Sequence, residues 1–157
     1  MPAIIKIGVS DTPWKISVVP TKQIKFLGFL LDSSEMRVKL TSEKVQKIKV
    51  LCQSLIECLN TSVQKLAEII GLIVSSFPGV EYGPLNYRDL ERDKTTALKV
   101  NKGDFSSKFT LSQPAIMNLK WWHENIENSF KEISHGNPDL VITTDASNAG
   151  WGAHIDK

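Results

Sequence analysis

The chain has 157 residues, 41% of them hydrophobic and 23% charged, a length near that of one ordinary domain with a modest core. This excludes a large multidomain enzyme, and without a biased tract or a long apolar run neither a disordered, collagen-like or coiled-coil chain nor a membrane-spanning one is supported. The net charge of +2 hides a gradient: residues 1–50 carry nine Lys/Arg against four Asp/Glu, residues 51–100 five against six, and residues 101–157 five against seven. A basic first third suits contact with phosphates, and it equally suits a solvated surface.

Met1 to Val9 lacks the charged start, apolar centre and small-residue cleavage site of a signal peptide, so an intracellular protein is expected, with cytoplasm and nucleus not distinguished. Ile4 to Val9 and Ile16 to Val19 read as short strands around a turn at Asp11-Thr12-Pro13. Gln23 to Leu31 is an apolar run with Gly28 in its middle. Asp32-Ser33-Ser34-Glu35 has turn composition, and Met36, Val38 and Leu40 alternate with Arg37 and Lys39. The pattern predicts a β-hairpin with one polar face. A glycine inside a strand marks either a bulge that bends it or a place where another backbone comes close.

Thr41 or Ser42 caps a predicted helix whose apolar positions run from Val45 through Ile48, Leu51, Cys52 and Leu55 to Leu59, with Lys44 and Lys47 on its other face. A capping box at Thr61-Ser62-Val63-Gln64 predicts a second helix, whose stripe from Val63 to Phe77 ends at Pro78-Gly79. Each stripe alone exposes too much apolar surface, so the two helices should pack together under a third element. Cys52 and Cys58, in this apolar pattern without a partnering His or Cys, suit buried free thiols better than a disulfide or a zinc site.

Leu85 to Leu98 reads as a weak helix, and Thr110-Leu111-Ser112-Gln113 with Pro114 starts a better one reaching Phe130. Trp121 lies off that helix's stripe, free to stack on a base or to pack against a neighbouring domain. His123 and His135 have no second ligand at metal spacing, and His135 to Pro138 is a turn. Leu140 to Thr144 is a strand ended by Asp145-Ala146-Ser147. A turn at Asn148-Ala149-Gly150 leads into a second strand from Trp151 to Ile155. Asp145 could offer a carboxylate to Mg²⁺, yet one carboxylate is not a metal site, and from spacing alone it reads as a turn residue.

Residues 15–28, KISVVPTKQIKFLG, with the hairpin to Leu40 and the helix from Thr41, resemble the stretch of retroelement reverse transcriptases that follows the polymerase active site, with the nearest likeness to DIRS-like and gypsy-like retrotransposon polyproteins. Residues 139–155, DLVITTDASNAGWGAHI, resemble the opening strands of their ribonuclease H domain. The resemblance covers about residues 13–156. It implies that residues 1–40 are the end of the polymerase palm with a primer-gripping hairpin, and that 41–80 are a thumb-like helical pair. On the same grounds 81–137 are a connection and 138–157 the start of ribonuclease H.

The same resemblance implies roles for particular residues. Phe26, Leu27, Gly28 and Phe29 match the hairpin that contacts the primer strand, where a side chain at Gly28 would hold the nucleic-acid backbone away. Lys22, Lys25, Lys44 and Lys47 become candidates for phosphate contact, which positions a duplex without reading its sequence. Asp145 matches the first catalytic, metal-binding aspartate of ribonuclease H, where two Mg²⁺ ions serve phosphodiester cleavage. The implied partners are an RNA–DNA or DNA duplex and the rest of the polyprotein, with no membrane.

The departures are specific. No Tyr-x-Asp-Asp motif occurs, Ile4 to Pro13 matches poorly, and the other ribonuclease H carboxylates are not among these residues. The expectation is a fragment of an RNA-directed DNA polymerase and ribonuclease H that is inactive alone and holds no Mg²⁺ stably. The alternative is a small helical protein-interaction module. The expected fold class is α+β: an N-terminal antiparallel β-hairpin, a helical thumb-like bundle, a helical connection, and a C-terminal β-hairpin marginal by itself. That last hairpin should be mobile or borrow pairing from the N-terminal strands.

Overall fold

The computed structural model describes residues 20–58, 60–133, 137 and 140–156. The strands expected at Ile4–Val9 and Ile16–Val19, the turn at Asp11–Pro13 and most of the turn at His135–Pro138 lie outside the described residues. The fold is α+β, with antiparallel sheets and four α-helices among the described residues.

Strands β1 (Gln23–Phe26), β2 (Phe29–Asp32) and β3 (Arg37–Leu40) form an antiparallel meander, and the two-residue β6 (Lys131–Glu132) pairs with the outer side of β3. The run from Gln23 to Leu31 is therefore two strands rather than one. Leu27 and Gly28, with φ of 49° and 81°, make a two-residue turn in which both backbones are left-handed, and Phe26 comes to lie opposite Phe29. Apolar continuity cannot separate a single strand from two joined by an apolar turn. Gly28 was the one turn signal in the run.

The turn expected at Asp32–Glu35 does join β2 to β3. Asp32 organises it, one carboxylate oxygen accepting from the Ser34 and Glu35 amides at 2.8 and 3.0 Å and the other from Gln23 Nε2 at 2.6 Å. The Glu35 amide first, then the Gln23 side chain, hold its carboxyl below the usual aspartate range. Register then sorts the side chains. Ile24, Phe26, Phe29, Leu31, Val38 and Leu40 share one face, and Gln23, Lys25, Leu30, Asp32, Arg37 and Lys39 share the other.

Helix α1 (Ser42–Glu57) starts at Thr41, whose Oγ1 accepts from the Lys44 amide at 3.4 Å. Helix α2 (Val63–Val74) starts at Ser62, one residue later than the capping box placed it, because Thr61 and Ser62 form a short strand β4 paired with β5 (Lys108–Phe109). Its α-helical part stops at Val74, with a separate 3₁₀ turn at Phe77–Gly79. Helix α3 (Arg88–Val100) is followed by α4 (Gln113–Asn125), capped by Ser112 rather than Thr110. Thr110 instead donates its hydroxyl to Asn60 at 3.1 Å, while the Asp93 carboxylate holds the Ser112 amide at 2.7 Å. A long-range partner decides each of these cap positions, and no local spacing rule contains it.

One core joins Leu40 of the sheet to all four helices, through residues such as Ile48 and Leu55 of α1, Leu66, Ile69 and Ile73 of α2, Leu90 of α3, and Leu119 and Trp122 of α4. It runs without a break across residue 80, where the boundary between a thumb-like pair and a connection was expected. Trp122 sits at its centre. The indole is fully buried, donates Nε1–H to the Asn86 carbonyl at 2.7 Å, stacks on Phe77 and meets Trp121 edge-on. Cys52 is buried in the same core, which pushes its thiol up to about 12. Cys58 was expected to be buried and is exposed, because α1 ends at Glu57 and the chain turns extended at that residue.

Strands β7 (Val141–Ser147) and β8 (Gly150–Asp156) form a separate antiparallel pair joined by Asn148–Ala149. Among the described residues neither pairs with any other strand, so no pairing is borrowed there from β1–β3.

Candidate nucleic-acid interface

The tip of the β1–β2 hairpin is fastened to the N-terminal end of α1. Thr41, the helix cap, donates its amide to the Gly28 carbonyl at 3.0 Å. Lys25 reaches Glu43 in the first helical turn at 3.7 Å, an exposed ion pair. The Glu43 carboxyl lies below its usual range, owing first to its backbone amide, then to the Thr41 hydroxyl, then to the Lys25 charge. Lys44 lies under the turn. Its ammonium donates to the Ser75 carbonyl at the C-terminal cap of α2 at 2.9 Å and stands 4.5 Å from the centroid of the Phe29 ring. Desolvation lowers the Lys44 pKa.

Gly28 is thus required by backbone geometry. Its φ of +81° disfavours any side chain, and a Cβ there would meet the Lys44 stem at 3.0 Å.

The structure brings Lys25, Gly28, Phe29 and Lys44 together at this end of α1. Phe29 is partly buried against the core, whereas Phe26 is 59% and Leu27 76% exposed. Lys47 is exposed one turn further along α1, on the side of Glu43 by its four-residue spacing. Lys22 lies at the opposite end of the hairpin, where its carbonyl accepts from Ser33, about 16 Å from the tip at strand rise.

Two basic residues outside the expected set belong to this surface. Leu30 pairs with Lys25 on one side and Lys39 on the other, so both lysines stand on the polar face in one cross-strand row, with Arg37 two residues along β3. The period-2 alternation of Arg37 and Lys39 was the signal that could have added them. Lys39 and Arg37 make exposed or half-exposed ion pairs with Glu35 at 3.6 Å, and Arg37 lies over the Phe130 ring.

Asp145 stands apart. The strand continues through it to Ser147 rather than ending there, and it lies opposite Gly152 in an exposed position. Its Oδ1 accepts from the Ala146 amide at 2.9 Å. Among the described residues no group of three His, Cys, Asp or Glu converges as a metal site. A lone exposed carboxylate does not fit the four-carboxylate environment of two Mg²⁺ ions, so no metal chemistry follows from the residues in place.

A different surface lies on α4. Two shallow grooves of about 510 and 400 Å³ adjoin at Trp121 and Glu124, the first also lined by Met117 and Asp89, the second by Tyr82 and Glu81. Trp121 is partly buried there, edge-on to Trp122.

No family model matches the chain. No curated protein matches it either. Among solved structures it is similar to the foamy viral protease-reverse transcriptase in complex with double-stranded DNA, at 14% identity and a TM-score of 0.47 over 85% of this chain. The chain spans 24% of that protein. Among the described residues no helix is long and apolar enough to cross a membrane.

Proposed function

We propose that the chain is the nucleic-acid-gripping middle of a retroelement reverse transcriptase, binding duplex template–primer through its backbone and carrying out no chemistry by itself. The observation that carries this reading is the docking of the β1–β2 tip on the start of α1. It leaves Phe26 and Leu27 exposed at the tip, with Lys25 and Lys39 together on the opposite, polar face of the meander and Lys47 exposed on α1. The resemblance around Gly28 and in the TDAS and GWGA pair supports the family reading, and the placement of the hairpin supports the grip.

The energetics favour weak, sequence-indifferent binding. The Lys25–Glu43 pair is exposed, and such pairs contribute about 0–1 kcal/mol, so a phosphate can replace Glu43 at little cost. Each phosphate neutralised releases counterions and steepens the fall of log K with log salt by about 0.9. With Lys22, Lys25, Lys39 and Lys47 as the contacts, the slope should be roughly −3 to −4. In the complete parent enzyme, the remaining carboxylates would come from elsewhere in the polyprotein and, together with Asp145, would hold Mg²⁺.

The test is fluorescence anisotropy of a labelled RNA–DNA hybrid across a salt series. Binding at low ionic strength with a slope near −3 supports the grip, and no binding there rejects it. A second reading, a protein-interaction module, is favoured by the groove surface on α4, where Met117 is 67% exposed beside Trp121. It predicts no measurable binding to the hybrid at low ionic strength.

A further inference from the structure

We propose that Lys44 is a positioning residue that clamps the β1–β2 turn onto the thumb-like helices, and that it is not itself a phosphate ligand. The inference rests on the gripping role of the hairpin and changes which lysines perform it. Three elements converge on this one side chain. Its stem passes beneath Gly28, so that a Cβ at Gly28 would lie 3.0 Å from its Cδ. Its ammonium covers the Phe29 ring of β2 at 4.5 Å. The same ammonium donates to the Ser75 carbonyl at 2.9 Å, at the end of α2 where the helix dipole is negative and a cation is favoured.

The lysines differ in what a phosphate would have to displace. To reach one, Lys44 must leave a helix terminus and an aromatic face together, and both of those groups then lose their partner. Lys25 gives up only an exposed ion pair, and Lys47 lies exposed on α1. Lys44 and Lys47, indistinguishable as polar-face helix residues in sequence, therefore divide into an internal clamp and an external contact. The Thr41 amide reports on the clamp directly, since its acceptor is the Gly28 carbonyl of the turn that Lys44 supports.

Hydrogen exchange and salt titration on the full chain test this. Lys44→Met keeps the stem and removes the cation. It should speed exchange of the Thr41 amide roughly tenfold while amides in the middle of α2 and α4 stay as slow as in the parent, because only one charge-assisted bond and one ring contact are lost. Lys44→Arg, which retains a donor and a cation above Phe29, should recover most of that protection. In hybrid binding Lys44→Met should lower affinity with the salt slope unchanged, whereas Lys25→Met should reduce the slope by about 0.9. Unchanged Thr41 exchange in Lys44→Met overturns the clamp. So does a slope reduced like that of Lys25→Met, or a Lys44→Arg variant as fast as Lys44→Met. If the parent chain binds no hybrid, the gripping role fails, and the exchange measurements still decide whether Lys44 clamps the turn.

Discussion

The Leu27-Gly28 turn yields a pair of substitutions with opposite signs. Leu27 has φ of 49° and is 76% exposed, so it carries backbone strain that little side-chain burial offsets. A left-handed L-residue costs about 1–2 kcal/mol. The buried quarter of a leucine, out of about 1.5–3 kcal/mol for the whole, returns roughly 0.5 kcal/mol. Asparagine tolerates this conformation and is the favoured residue before glycine in such turns.

Leu27→Asn should therefore stabilise the 157-residue chain by roughly 0.5–1 kcal/mol and raise the melting temperature by about 1–3 °C. Gly28→Ala forces an L-residue to φ +81° and presses on the Lys44 stem, and should cost about 1–2 kcal/mol. Calorimetry on both variants reads the difference. If Leu27→Asn lowers the transition as far as Gly28→Ala does, the strain argument is wrong and Leu27 is held by contacts the turn geometry does not express. Should Leu27→Asn prove more stable and bind a hybrid less tightly, strain at that position is retained for the exposed leucine itself.

Two other predictions concern the core and the second turn. Trp122→Ala empties the centre of the four-helix core and strands the Asn86 carbonyl, so urea denaturation should show a loss of about 3–5 kcal/mol; a loss below about 1 kcal/mol would mean the indole is not central. Asp32 accepts three hydrogen bonds that favour its carboxylate, so its folded pKa is depressed. Its contribution is fully present above the unfolded value of about 3.9 and is lost as pH falls through the lower folded value. Exchange of the Ser34 and Glu35 amides, corrected for intrinsic rates, should accelerate over that acid window, and Asp32→Asn should abolish the acceleration.

What could be read from the sequence and what could not divides along local and long-range causes. The helical stripes through Ile48, Cys52 and Leu55 and through Leu66, Ile70 and Ile73 follow from 3.6-residue periodicity, and each residue is buried. The polar face of the meander follows from alternation. The caps at Ser62 and Ser112 did not, because the β4–β5 ladder and the Asp93 carboxylate set them from distant parts of the chain. The split of Gln23–Leu31 into two strands does not show in the sequence, because its turn is built from Leu27, a residue whose type argues against positive φ. For the site, the resemblance singled out the lysines, but only coordinates separate Lys44, bonded to a carbonyl thirty-one residues away, from Lys47 one turn along the same helix.

The terminal hairpin allows one further prediction. Every residue of β7, and β8 through Ile155, is exposed, and the strands pair only with each other among the described residues. Two strands alone are marginal in water, and among the described residues no third strand covers either outer edge. One face is also too apolar for a finished surface: Ile142, Ile155 and Trp151, the last 81% exposed, share it and leave a patch of the kind that another element normally covers. Among the described residues the core ends at Ile126, so removing residues 138–157 deletes none of its described members. Such a variant should change stability by less than about 0.5 kcal/mol and melt within about 2 °C of the full chain. A fall above about 5 °C would place the hairpin within the cooperative unit. It would then be part of this fold's own stability, and the reading of β7 and β8 as the first strands of another sheet, with Asp145 waiting for carboxylates that sheet supplies, would have to be given up.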